Sequence, residues 1–371
     1  MNLVLFFTYK TSINDWIKNG IFSREINLYK ELVKKGSNVT LVSYDYKNYK
    51  DDLEPHGIKH LPIFDSDKSK RNNIQIIFQS IKFLFKNKQF FKNIDVIKTN
   101  QMLGSWLGLL TKLIYKKPLF IRTGYDLLEF SIKNKKNFLK KILYYFLTGF
   151  CILYSDLYTV TSKSDNDLLR RRFFAKNIEI RPNWIKIEKE VKTVNKKHNT
   201  ILSVGRLEHQ KNYKSVISSI SNSKYIYDIF GQGSLKKNLV KFANNKNVKL
   251  NIYQPVDNEE LLEVYKSYKF FLIPSYFEGN PKSMLEAMSR GCIVIASDIP
   301  NHREIIEDTK NGFLFDFENG NLIELLERLE SNEVNLKEVS TNSYRYILKN
   351  NSFENYLSKE ITDLNKLLGK K

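Results

Sequence analysis

Short apolar runs alternate with amphipathic helical patterns along this chain, and the alternation confines it to folds built on parallel β-sheets. The stretch 270–315 contains one full unit of the pattern. An apolar run over 270–273 ends at Pro274, a loop leads into a helical pattern, and a second apolar run covers 292–296. Strands that are apolar throughout are typical of parallel sheets covered on both faces. We therefore expect strand, loop, helix and strand in this order.

The same alternation occupies most of the chain and predicts the fold class. The first half is predicted to form strands over 3–7, 39–43, 95–98, 119–122 and 157–161, and helices over 21–35, 103–115 and 138–154. A second series runs from 201 to about 330, and two helical patterns follow it. The prediction is an α/β protein with two doubly wound parallel sheets.

Length and composition place the boundary between the two sheets. The 371 residues suffice for two domains of ordinary size, each with its own core. The segment 185–200 is rich in Lys and Glu and poor in large apolar residues, which is typical of a linker. We expect an N-terminal domain over 1–184, a C-terminal domain over 201–335 and C-terminal helices over 336–371.

The overall composition excludes several classes of protein. With 42% hydrophobic and 27% charged residues, the chain is globular rather than disordered. Cys151 and Cys292 both lie in apolar runs, which excludes a disulfide framework and a cysteine metal site. The longest apolar stretch, 142–154, is shorter than the roughly 17 to 25 residues of a spanning helix. We therefore expect a cytoplasmic protein.

Two glutamates flank the helix start in the stretch described first. Glu278 lies in the loop, where no helix face would carry it into solvent, and Glu286 lies within the helix. Asn280 is expected to be the N-cap and Pro281 the first helical residue. The unpaired amides of the first turn would then add to the positive end of the helix dipole, which favours a phosphate group. A capping box with Ser283 is the alternative role of Glu286.

Two cations follow the first strand of the second series. Gly205 and Arg206 come directly after the apolar run 201–204, and Lys211 precedes a helical pattern. Both cations are therefore expected at the carboxyl edge of the sheet, where folds of this kind bind ligands. A guanidinium and an ammonium suit a diphosphate, whose negative charge grows when a bond to it breaks.

A glycine turn follows the next strand of this series. Gly231 and Gly233 succeed the predicted strand 226–230 and are expected in a tight turn close to the ligand. The dinucleotide fingerprint would need a third glycine three residues later, and Lys236 occupies that position. The turn is therefore not predicted to bind NAD.

Together these motifs resemble a known family. Glu278, seven intervening residues and Glu286, followed by small and apolar residues up to Ser297, are similar to the nucleotide-sugar signature of the retaining family 4 glycosyltransferases, whose fold is called GT-B. The segment with the two cations and the glycine turn resemble two further motifs of that family. The resemblance is firm over 201–317 and covers the first 200 residues in outline.

The resemblance implies a fold and a reaction. Two Rossmann-like domains would face a central cleft, with the acceptor on the N-terminal domain, the donor on the C-terminal domain, and the last helix crossing back to the N-terminal domain. The expected reaction moves a hexose from a nucleoside-diphosphate sugar to a saccharide acceptor and retains the anomeric configuration. Since the leaving phosphate itself takes the acceptor proton in this family, no metal and no cofactor beyond the sugar nucleotide are expected.

The resemblance also implies residue roles. Glu278 would bind the donor sugar hydroxyls and Glu286 the ribose hydroxyls, because a carboxylate accepts hydrogen bonds from adjacent hydroxyls. Arg206 and Lys211 would hold the diphosphate, and together with Glu278 they are the predicted catalytic residues. The remaining predicted donor-binding positions are Gly20, Gly205, Gly231, Gly233, Val256, Gly279, Asn280, Pro281, Ser283 and Leu285.

The acceptor side departs from the family pattern. Members often carry a histidine on a loop after the fourth or fifth N-terminal strand, whereas 121–126 contains none. Asp126 is the remaining candidate to orient the acceptor hydroxyl, and capping the helix that begins at Leu127 is its alternative role.

No metal site is predicted. The five histidines lack the spacing of metal ligands. Asp65 and Asp67 have the spacing of an Asp-x-Asp metal motif, but they lie in a polar stretch with Lys68 and Arg71, which favours a solvated loop.

The positive charge of the chain is confined to its first half. Residues 1–200 contain 37 Lys and Arg against 18 Asp and Glu, a net charge of +19, while residues 201–371 contain 23 against 22. The acceptor surface is therefore expected to face an anionic partner. Basic and large apolar residues interleave over 74–92 and 133–154, which is typical of helices that lie in a membrane interface. We expect a peripheral protein on the inner face of the plasma membrane that acts on an envelope or lipid-linked saccharide.

Two other functions fit part of the sequence. A nucleotide-sugar epimerase would use the same fold and turn over without an acceptor. A nucleic-acid-binding protein would explain the sequence pI near 9.5 and the 13% aromatic residues. The basic residues follow no known DNA or RNA module, however, and the aromatic residues have core spacing. We therefore expect no nucleic-acid partner.

Overall fold

The computed structural model describes residues 1–64, 71–133, 137–175, 177–188, 195–331 and 333–369. The chain divides into two compact units. Unit 1 comprises Met1–Arg181 together with Leu357–Lys371, and unit 2 comprises Pro182–Tyr356. The aspartates of the Asp-x-Asp pattern, Asp65 and Asp67, lie outside the described residues.

Unit 1 is built on a parallel sheet of seven strands among the residues described. The strands are β1 (Asn2–Phe6), β2 (Asn38–Ser43), β3 (Ile58–Pro62), β4 (Val96–Thr99), β5 (Leu119–Arg122), β6 (Leu157–Val160) and β7 (Ile178–Ile180). Their order across the sheet is β3-β2-β1-β4-β5-β6-β7. Buried apolar side chains from the strands pack against the surrounding helices and form the core of this unit.

Helices connect the strands of unit 1. They are α1 (Ile13–Lys18), α2 (Phe22–Lys34), α3 (Lys50–Leu53), α4 (Asn73–Lys86), α5 (Lys88–Lys92), α6 (Met102–Tyr115), α7 (Leu127–Lys133), α8 (Phe138–Tyr154) and α9 (Lys163–Phe173). The C-terminal residues 357–371 are also part of this unit. Within it, the fully buried Lys98 pairs with Glu360, and Arg181 forms a two-pronged ion pair with Asp363.

Unit 2 repeats the architecture with six parallel strands among its described residues. They are β8 (Lys197–Val204), β9 (Ile226–Phe230), β10 (Lys249–Tyr253), β11 (Tyr268–Ile273), β12 (Ile293–Ser297) and β13 (Phe313–Phe315), in the order β10-β9-β8-β11-β12-β13. The helices are α10 (Tyr213–Ser219), α11 (Lys236–Asn245), α12 (Asn258–Lys266), α13 (Lys282–Ser289), α14 (Pro300–Arg303), α15 (Leu322–Glu330), α16 (Leu336–Asn350) and α17 (Phe353–Leu367), the last of which continues into unit 1.

The strand order places a switch point in each sheet. In unit 2 the chain moves outward from β8 to β10 and then returns to the other side of β8 with β11. The connections that leave the carboxyl ends of β8 and β11 therefore diverge to opposite faces of the sheet. Open parallel sheets bind ligands in the crevice that forms at this point.

The predicted α/β fold with two doubly wound sheets is confirmed, and most predicted elements lie within a few residues of their observed bounds. In unit 1, the strands β3 and β7 were missed, and in unit 2, no strand was assigned at β10 or β13. β3 contains two consecutive polar residues, Lys59 and His60, and β7 has only three residues, so neither forms an apolar run. β8 begins at Lys197, inside the segment predicted as a linker. The first residues of this strand are polar and exposed, so the sequence did not indicate a strand there.

No helix in the described part of the chain is long and apolar enough to cross a membrane. Among the same residues, no three His, Cys, Asp or Glu side chains converge on a point where they could hold a metal ion.

Candidate functional site

The predicted cations and the loop glutamate come together at the switch point of unit 2. Gly205 and Arg206 follow the carboxyl end of β8, and Glu278 lies in the loop that follows β11. A short 3₁₀ turn, His209–Lys211, connects Arg206 to α10. Residues separated by about 70 positions in sequence therefore line one edge of the sheet.

Lys211 and Glu278 form a buried ion pair. The Nζ atom of Lys211 lies 2.5 Å from Oε1 of Glu278, and the two side chains are 13% and 8% exposed. The Ser275 hydroxyl donates to the same carboxylate oxygen over 2.7 Å. Burial alone would raise the pKa of Glu278, but Lys211 and Ser275 outweigh burial and hold that pKa below its ordinary value. Glu278 is therefore ionised at neutral pH.

Hydrogen bonds from the 3₁₀ turn fix the position of this pair. The amide side chain of Gln210 donates to the Phe277 carbonyl over 2.8 Å, and the Tyr276 amide donates to the Gln210 carbonyl over 3.0 Å. The rings of His209 and Tyr276 stack with 5.2 Å between their centroids. The turn and the loop after β11 are thus held together on both sides of Lys211 and Glu278.

Arg206 differs from Lys211 in its surroundings. Its side chain is exposed, and its guanidinium makes no hydrogen bond or ion pair with any described residue. A cation at the switch point that is not already neutralised can attract an anionic ligand.

The glycine turn after β9 packs directly against the loop after β8. A Cβ atom at Gly231 would lie 1.9 Å from the Gly205 carbonyl oxygen, so a larger residue would force the backbone apart. Gly233 approaches the backbone of Leu207 in the same way, with 2.6 Å to its carbonyl oxygen. The Leu207 amide also donates to the Gln232 carbonyl over 2.9 Å, which links the two loops further. Glycine is required here because two backbone segments meet.

The start of α13 differs from the prediction. Pro281, not Asn280, is the N-cap, and the helix has no side-chain cap. The Asn280 side chain instead accepts a hydrogen bond from the Asn183 amide over 2.9 Å, and the Asn183 side chain donates to the Asn280 carbonyl. Asn280 was expected to cap α13, and this was wrong because a residue nearly a hundred positions away competes for its side chain.

The first turn of α13 presents fewer unpaired amides than expected. The amides of Met284 and Leu285 both donate to the Pro281 carbonyl, over 3.1 and 3.3 Å. The Ser283 amide makes no hydrogen bond with any described residue. Leu285 was predicted to bind the donor, but its side chain is fully buried in the core of unit 2 and its amide is used within the helix. We therefore assign Leu285 to the core.

Glu286 is buried inside unit 2 rather than placed in a capping box. Its carboxylate accepts hydrogen bonds from the Asn258 side chain over 2.9 Å and from the Tyr265 hydroxyl over 3.3 Å. Both donors lie on α12. These two hydrogen bonds hold the carboxylate of Glu286 against α12.

The other predicted positions of unit 2 surround the same edge of the sheet. Gly279 is buried in the loop that carries Glu278. Val256 is half-buried in the connection between β10 and α12. Both are loop positions beyond the carboxyl ends of strands, as expected of ligand-binding residues in such a sheet.

Two predicted residues belong to unit 1. Gly20 follows α1 with a φ of +64°, a left-handed conformation that glycine adopts without strain. Asp126 precedes α7, where its carboxylate accepts a hydrogen bond from the Glu129 amide over 2.5 Å and lies 3.5 Å from the Arg172 guanidinium. Burial raises the pKa of Asp126. The residue therefore caps α7, and its Oδ2 atom has no hydrogen-bond partner among the described residues.

Several residues of the site gave no usable signal in the sequence. Gln210 and Ser275 position the ion pair, while Asn258 and Tyr265 hold Glu286. A polar residue beside a motif is indistinguishable from a solvated one until the fold places its partner nearby. The pairing of Lys211 with Glu278 was missed for the same reason.

The fold and the site define a class of protein. Two doubly wound sheets, with cations and an ionised glutamate at the switch point of the second, are the arrangement of a glycosyltransferase of the GT-B type. Two family models match the chain: Glycosyltransferase Family 4 over residues 19–189 and Glycosyl transferases group 1 over residues 185–346. The chain belongs to the family 4 glycosyltransferases and has the GT-B fold.

Individual relatives are distant. The chain is 28% identical over 242 residues to the capsular polysaccharide biosynthesis glycosyltransferase CapH of Staphylococcus aureus, a match that covers 62% of this chain and 65% of CapH. It is 23% identical over 244 residues to the Escherichia coli UDP-Gal:alpha-D-GlcNAc-diphosphoundecaprenol alpha-1,3-galactosyltransferase, covering 60% of this chain and 62% of that protein. The chain thus spans less than two thirds of the length of these curated relatives.

A solved structure supports the fold independently. Sucrose-phosphate synthase from Thermosynechococcus elongatus aligns with a TM-score of 0.79 at 15% sequence identity, and the alignment covers 100% of this chain and 99% of that one. At this level of identity the likeness concerns the fold alone.

Proposed function

We propose that this chain transfers a hexose from a nucleoside-diphosphate sugar to a saccharide acceptor and retains the anomeric configuration. The observation that carries the proposal is the site at the switch point of unit 2. There, the Lys211–Glu278 pair, the exposed Arg206 and the close-packed glycine turn meet at one edge of the sheet.

The charges of this site suit a diphosphate leaving group. Arg206 lacks an anionic partner among the described residues, and Lys211 can share its ammonium between Glu278 and a phosphate oxygen. The Ser283 amide adds a donor at the positive end of α13. Negative charge on the diphosphate grows as the bond to the sugar breaks, so these groups stabilise the transition state more than the ground state. Cations of the chain thus take the role that a metal ion plays in other transferases.

The donor sugar and the ribose of the nucleotide would each contact a carboxylate. Glu278 is ionised and has one oxygen, Oε2, that is not engaged by Lys211 or Ser275, so it can accept hydrogen bonds from the sugar hydroxyls. Glu286 is held rigidly by α12 and can accept hydrogen bonds from the ribose. In the step itself, the acceptor oxygen bonds to the anomeric carbon on the face that the diphosphate leaves. A phosphate oxygen takes the proton of the acceptor hydroxyl.

The relatives support a choice of substrates. CapH is a capsular polysaccharide glycosyltransferase, and the Escherichia coli relative uses UDP-Gal and a diphosphoundecaprenol-linked sugar. We therefore propose UDP as the donor nucleotide and a lipid-linked saccharide of envelope polysaccharide synthesis as the acceptor.

A binding panel tests this proposal. Calorimetric titration with the UDP, GDP and ADP forms of glucose, galactose and N-acetylglucosamine should reveal binding of at least one UDP-sugar in the presence of EDTA. Arg206→Ala should weaken that binding, whereas Arg328→Ala, which removes another exposed arginine from α15, should leave it unchanged. Equal effects of the two variants, or no binding of any nucleotide sugar, would contradict the proposed function.

We also propose that unit 1 attaches to an anionic membrane surface. Three neighbouring helices carry large apolar side chains into solvent, and α6 contacts both α4 and α8. On α8, Phe138 and Leu139 are each 71% exposed and Leu153 is 70% exposed; on α4, Ile74 and Phe78 are 78% and 68% exposed. Apolar surface of this extent marks an interaction site on a protein.

Basic residues accompany this apolar surface. Lys82 and Lys86 on α4, Lys88 on α5 and Lys140 on α8 are all exposed. Each lysine near an anionic leaflet adds about 1 kcal/mol of attraction. Apolar side chains at the acyl boundary together with lysines at the headgroups would hold the protein beside a lipid-linked acceptor.

Co-sedimentation with vesicles tests the attachment. Binding should require anionic lipid, fall as salt is raised, and weaken when Lys82, Lys86 and Lys88 are together replaced by Glu. The matched control reverses the same amount of charge in unit 2, at the exposed residues Lys237, Lys249 and Lys337. If the protein does not bind anionic vesicles at low salt, or if both triple variants lose binding equally, the attachment surface is not on unit 1.

A further inference from the structure

Three aromatic side chains follow the first three strands of unit 1. Tyr9 lies after β1, Tyr44 directly follows β2, and Phe64 lies after β3. The ring centroids of Tyr9 and Tyr44 are 5.6 Å apart, and those of Tyr44 and Phe64 are 6.1 Å apart. These three rings, here called the aromatic row, therefore line the carboxyl edge of the sheet, where folds of this kind bind ligands.

A cation lies at each end of the aromatic row. The Nζ atom of Lys10 is 5.6 Å from the ring centroid of Tyr9, and the guanidinium carbon of Arg71 is 4.4 Å from that of Phe64. Both distances lie within the range of about 6 Å over which a ring face attracts a cation. The Tyr9 hydroxyl donates to Oδ1 of Asn73 over 3.3 Å, which holds the segment of Arg71 beside the loop that carries Lys10.

Lys10 adopts a backbone conformation that lysine disfavours. Its φ is +63°, in a tight turn where the Thr11 amide donates to the Thr8 carbonyl over 2.8 Å. Glycine or asparagine is the usual residue at such a position. The Lys10 side chain is exposed, and its ammonium makes no hydrogen bond or ion pair with any described residue. A strained backbone that presents a cation without an anionic partner in the described fold indicates a functional role for the charge.

The aromatic row adjoins the surface proposed to contact the membrane. Helix α4 begins at Asn73, two residues after Arg71, and the strongly exposed Ile74 and Phe78 lie in its first two turns. The apolar chain of a lipid-linked acceptor would enter the bilayer along this surface, and its polar linkage would stay at the boundary. A diphosphate that joins a lipid to a sugar has one ionised oxygen on each phosphorus atom. Its two negative charges therefore match the two cations of the aromatic row.

We propose that Lys10 and Arg71 bind the diphosphate that links lipid and saccharide in the acceptor. This inference rests on the proposed function and extends it from the donor to the acceptor. An ammonium and a guanidinium both form charge-assisted hydrogen bonds with phosphate oxygens. The site lies in unit 1 and is separate from the donor-diphosphate site of Arg206 and Lys211 in unit 2. It selects acceptors by their linkage, because a neutral glycoside lacks the charges that it binds.

Two substitutions remove the charges of this site. Lys10→Gly removes the ammonium, and glycine adopts the left-handed turn without strain. Arg71→Gln removes the guanidinium and keeps a polar side chain. Lys116→Gly is the matched control, because Lys116 is also an exposed lysine with a positive φ, +55°. It follows α6 and precedes β5, at the opposite edge of the same sheet.

Calorimetric titration with two probes tests the inference. One probe is N-acetylglucosamine joined to an undecyl chain by a diphosphate, and the other is the undecyl glycoside of the same sugar. Excess UDP is present to occupy the donor site. Wild type should bind the diphosphate probe more tightly than the glycoside. Lys10→Gly and Arg71→Gln should each weaken binding of the diphosphate probe about 10-fold and leave binding of the glycoside and of UDP unchanged. Lys116→Gly should bind both probes as wild type does.

Two further arms identify where the diphosphate probe binds. Arg206→Ala should leave its affinity unchanged, and a loss there would place the probe in the donor site and overturn the inference. Lys10→Gly and Arg71→Gln should also co-sediment with phosphatidylglycerol vesicles as wild type does. If they lose vesicle binding while their affinity for the diphosphate probe is unchanged, the two cations bind lipid headgroups and the inference is overturned.

The remaining outcomes separate this inference from the proposed function. If wild type binds the two probes equally, or if the variants weaken both probes equally, the diphosphate is not recognised by Lys10 and Arg71. Binding of a UDP-hexose by wild type would then leave the proposed function standing. If no nucleotide sugar binds but the diphosphate probe still depends on Lys10 and Arg71, the site in unit 1 stands and the proposed donor reaction does not.

Discussion

Replacing Lys211 by methionine should destabilise unit 2, because the change leaves the Glu278 carboxylate buried without its counter-ion. The two side chains are 13% and 8% exposed, and their charged atoms lie 2.5 Å apart. Removing one partner of a buried pair costs about 3 kcal/mol or more. For a domain of this size, that loss corresponds to a fall in Tm of about 6 to 12 °C.

The double variant Lys211→Met/Glu278→Gln should recover much of this stability, since it leaves no buried charge. We expect a coupling energy of about 2 kcal/mol between the two positions. Lys224→Met is the matched control, because Lys224 forms an exposed pair with Glu330 and should contribute at most about 1 kcal/mol. Calorimetric unfolding of wild type, Lys211→Met, Glu278→Gln, the double variant and Lys224→Met measures each value.

The pH dependence of the difference in Tm identifies its cause. In wild type the pKa of Glu278 is held below its ordinary value, so its contribution to stability is present at neutral pH and is lost as pH falls through that lowered pKa. In Lys211→Met the hydrogen bond from Ser275 remains, but burial is the largest influence once the charge of Lys211 is gone, so the pKa of Glu278 rises above its ordinary value and protonation stabilises the variant. The gap in Tm should therefore narrow between pH 7.5 and pH 5. A gap that stays constant with pH, or an unchanged Tm in Lys211→Met, would refute the reasoning.

Three further predictions address single features of the molecule. Arg206→Ala should lower donor turnover by on the order of 10²- to 10³-fold with an unchanged Tm, because the exposed Arg206 side chain stabilises only the diphosphate. A turnover near that of wild type would contradict this role. Gly231→Ala should lower both Tm and donor affinity, since its Cβ would meet the Gly205 carbonyl oxygen. Gly149→Ala in α8 is the control and should be tolerated. Equal Tm values for the two variants would contradict the close approach of the two backbone segments. Burial lowers the pKa of His60 and of His302 to about 4. Each buried ring should therefore reduce the free energy of unfolding by up to about 3 kcal/mol as pH falls from 6.5 to 4. Urea unfolding at pH 7 and pH 5 should show a smaller loss of stability in His302→Asn than in wild type.

Apolar runs carried most of the information about the fold. β5 and β9 were predicted to the residue, because each is mostly apolar and is followed by a turn that contains glycine. β3 was missed because Lys59 and His60 interrupt its pattern. His60 is nevertheless buried, where its Nε2 atom bonds the Ser43 hydroxyl over 2.8 Å. A polar residue that finds a buried partner looks like a loop residue in the sequence.

The candidate site could be predicted as a set of residues but not as an arrangement. Arg206, Lys211 and Glu278 were found because each follows an apolar strand, and parallel strands end at a common edge. Their pairing depends on the partners that the fold supplies. Glu278 forms a buried ion pair with Lys211, so it is a buried group of the fold as well as a candidate for sugar binding.

Long-range contacts decide roles that local sequence patterns do not predict. Asn280 has the sequence context of a helix cap, yet Asn183 occupies its side chain. Lys10 and Arg71 carry no motif, and the rings beneath them come together only when β1, β2 and β3 pair side by side. Sequence patterns report local preference, whereas these roles are decided by residues distant along the chain.

The stereochemistry of the product tests the central proposal most directly. The enzyme would be incubated with an α-linked UDP-hexose, a lipid-linked saccharide acceptor and EDTA, and proton NMR would assign the anomeric configuration of the new bond. We predict an α-linked product that forms despite the chelator, because chain cations at the switch point stabilise the leaving diphosphate and transfer occurs on the face that it leaves. A β-linked product, or transfer that stops with EDTA and returns with a divalent metal, would contradict the account.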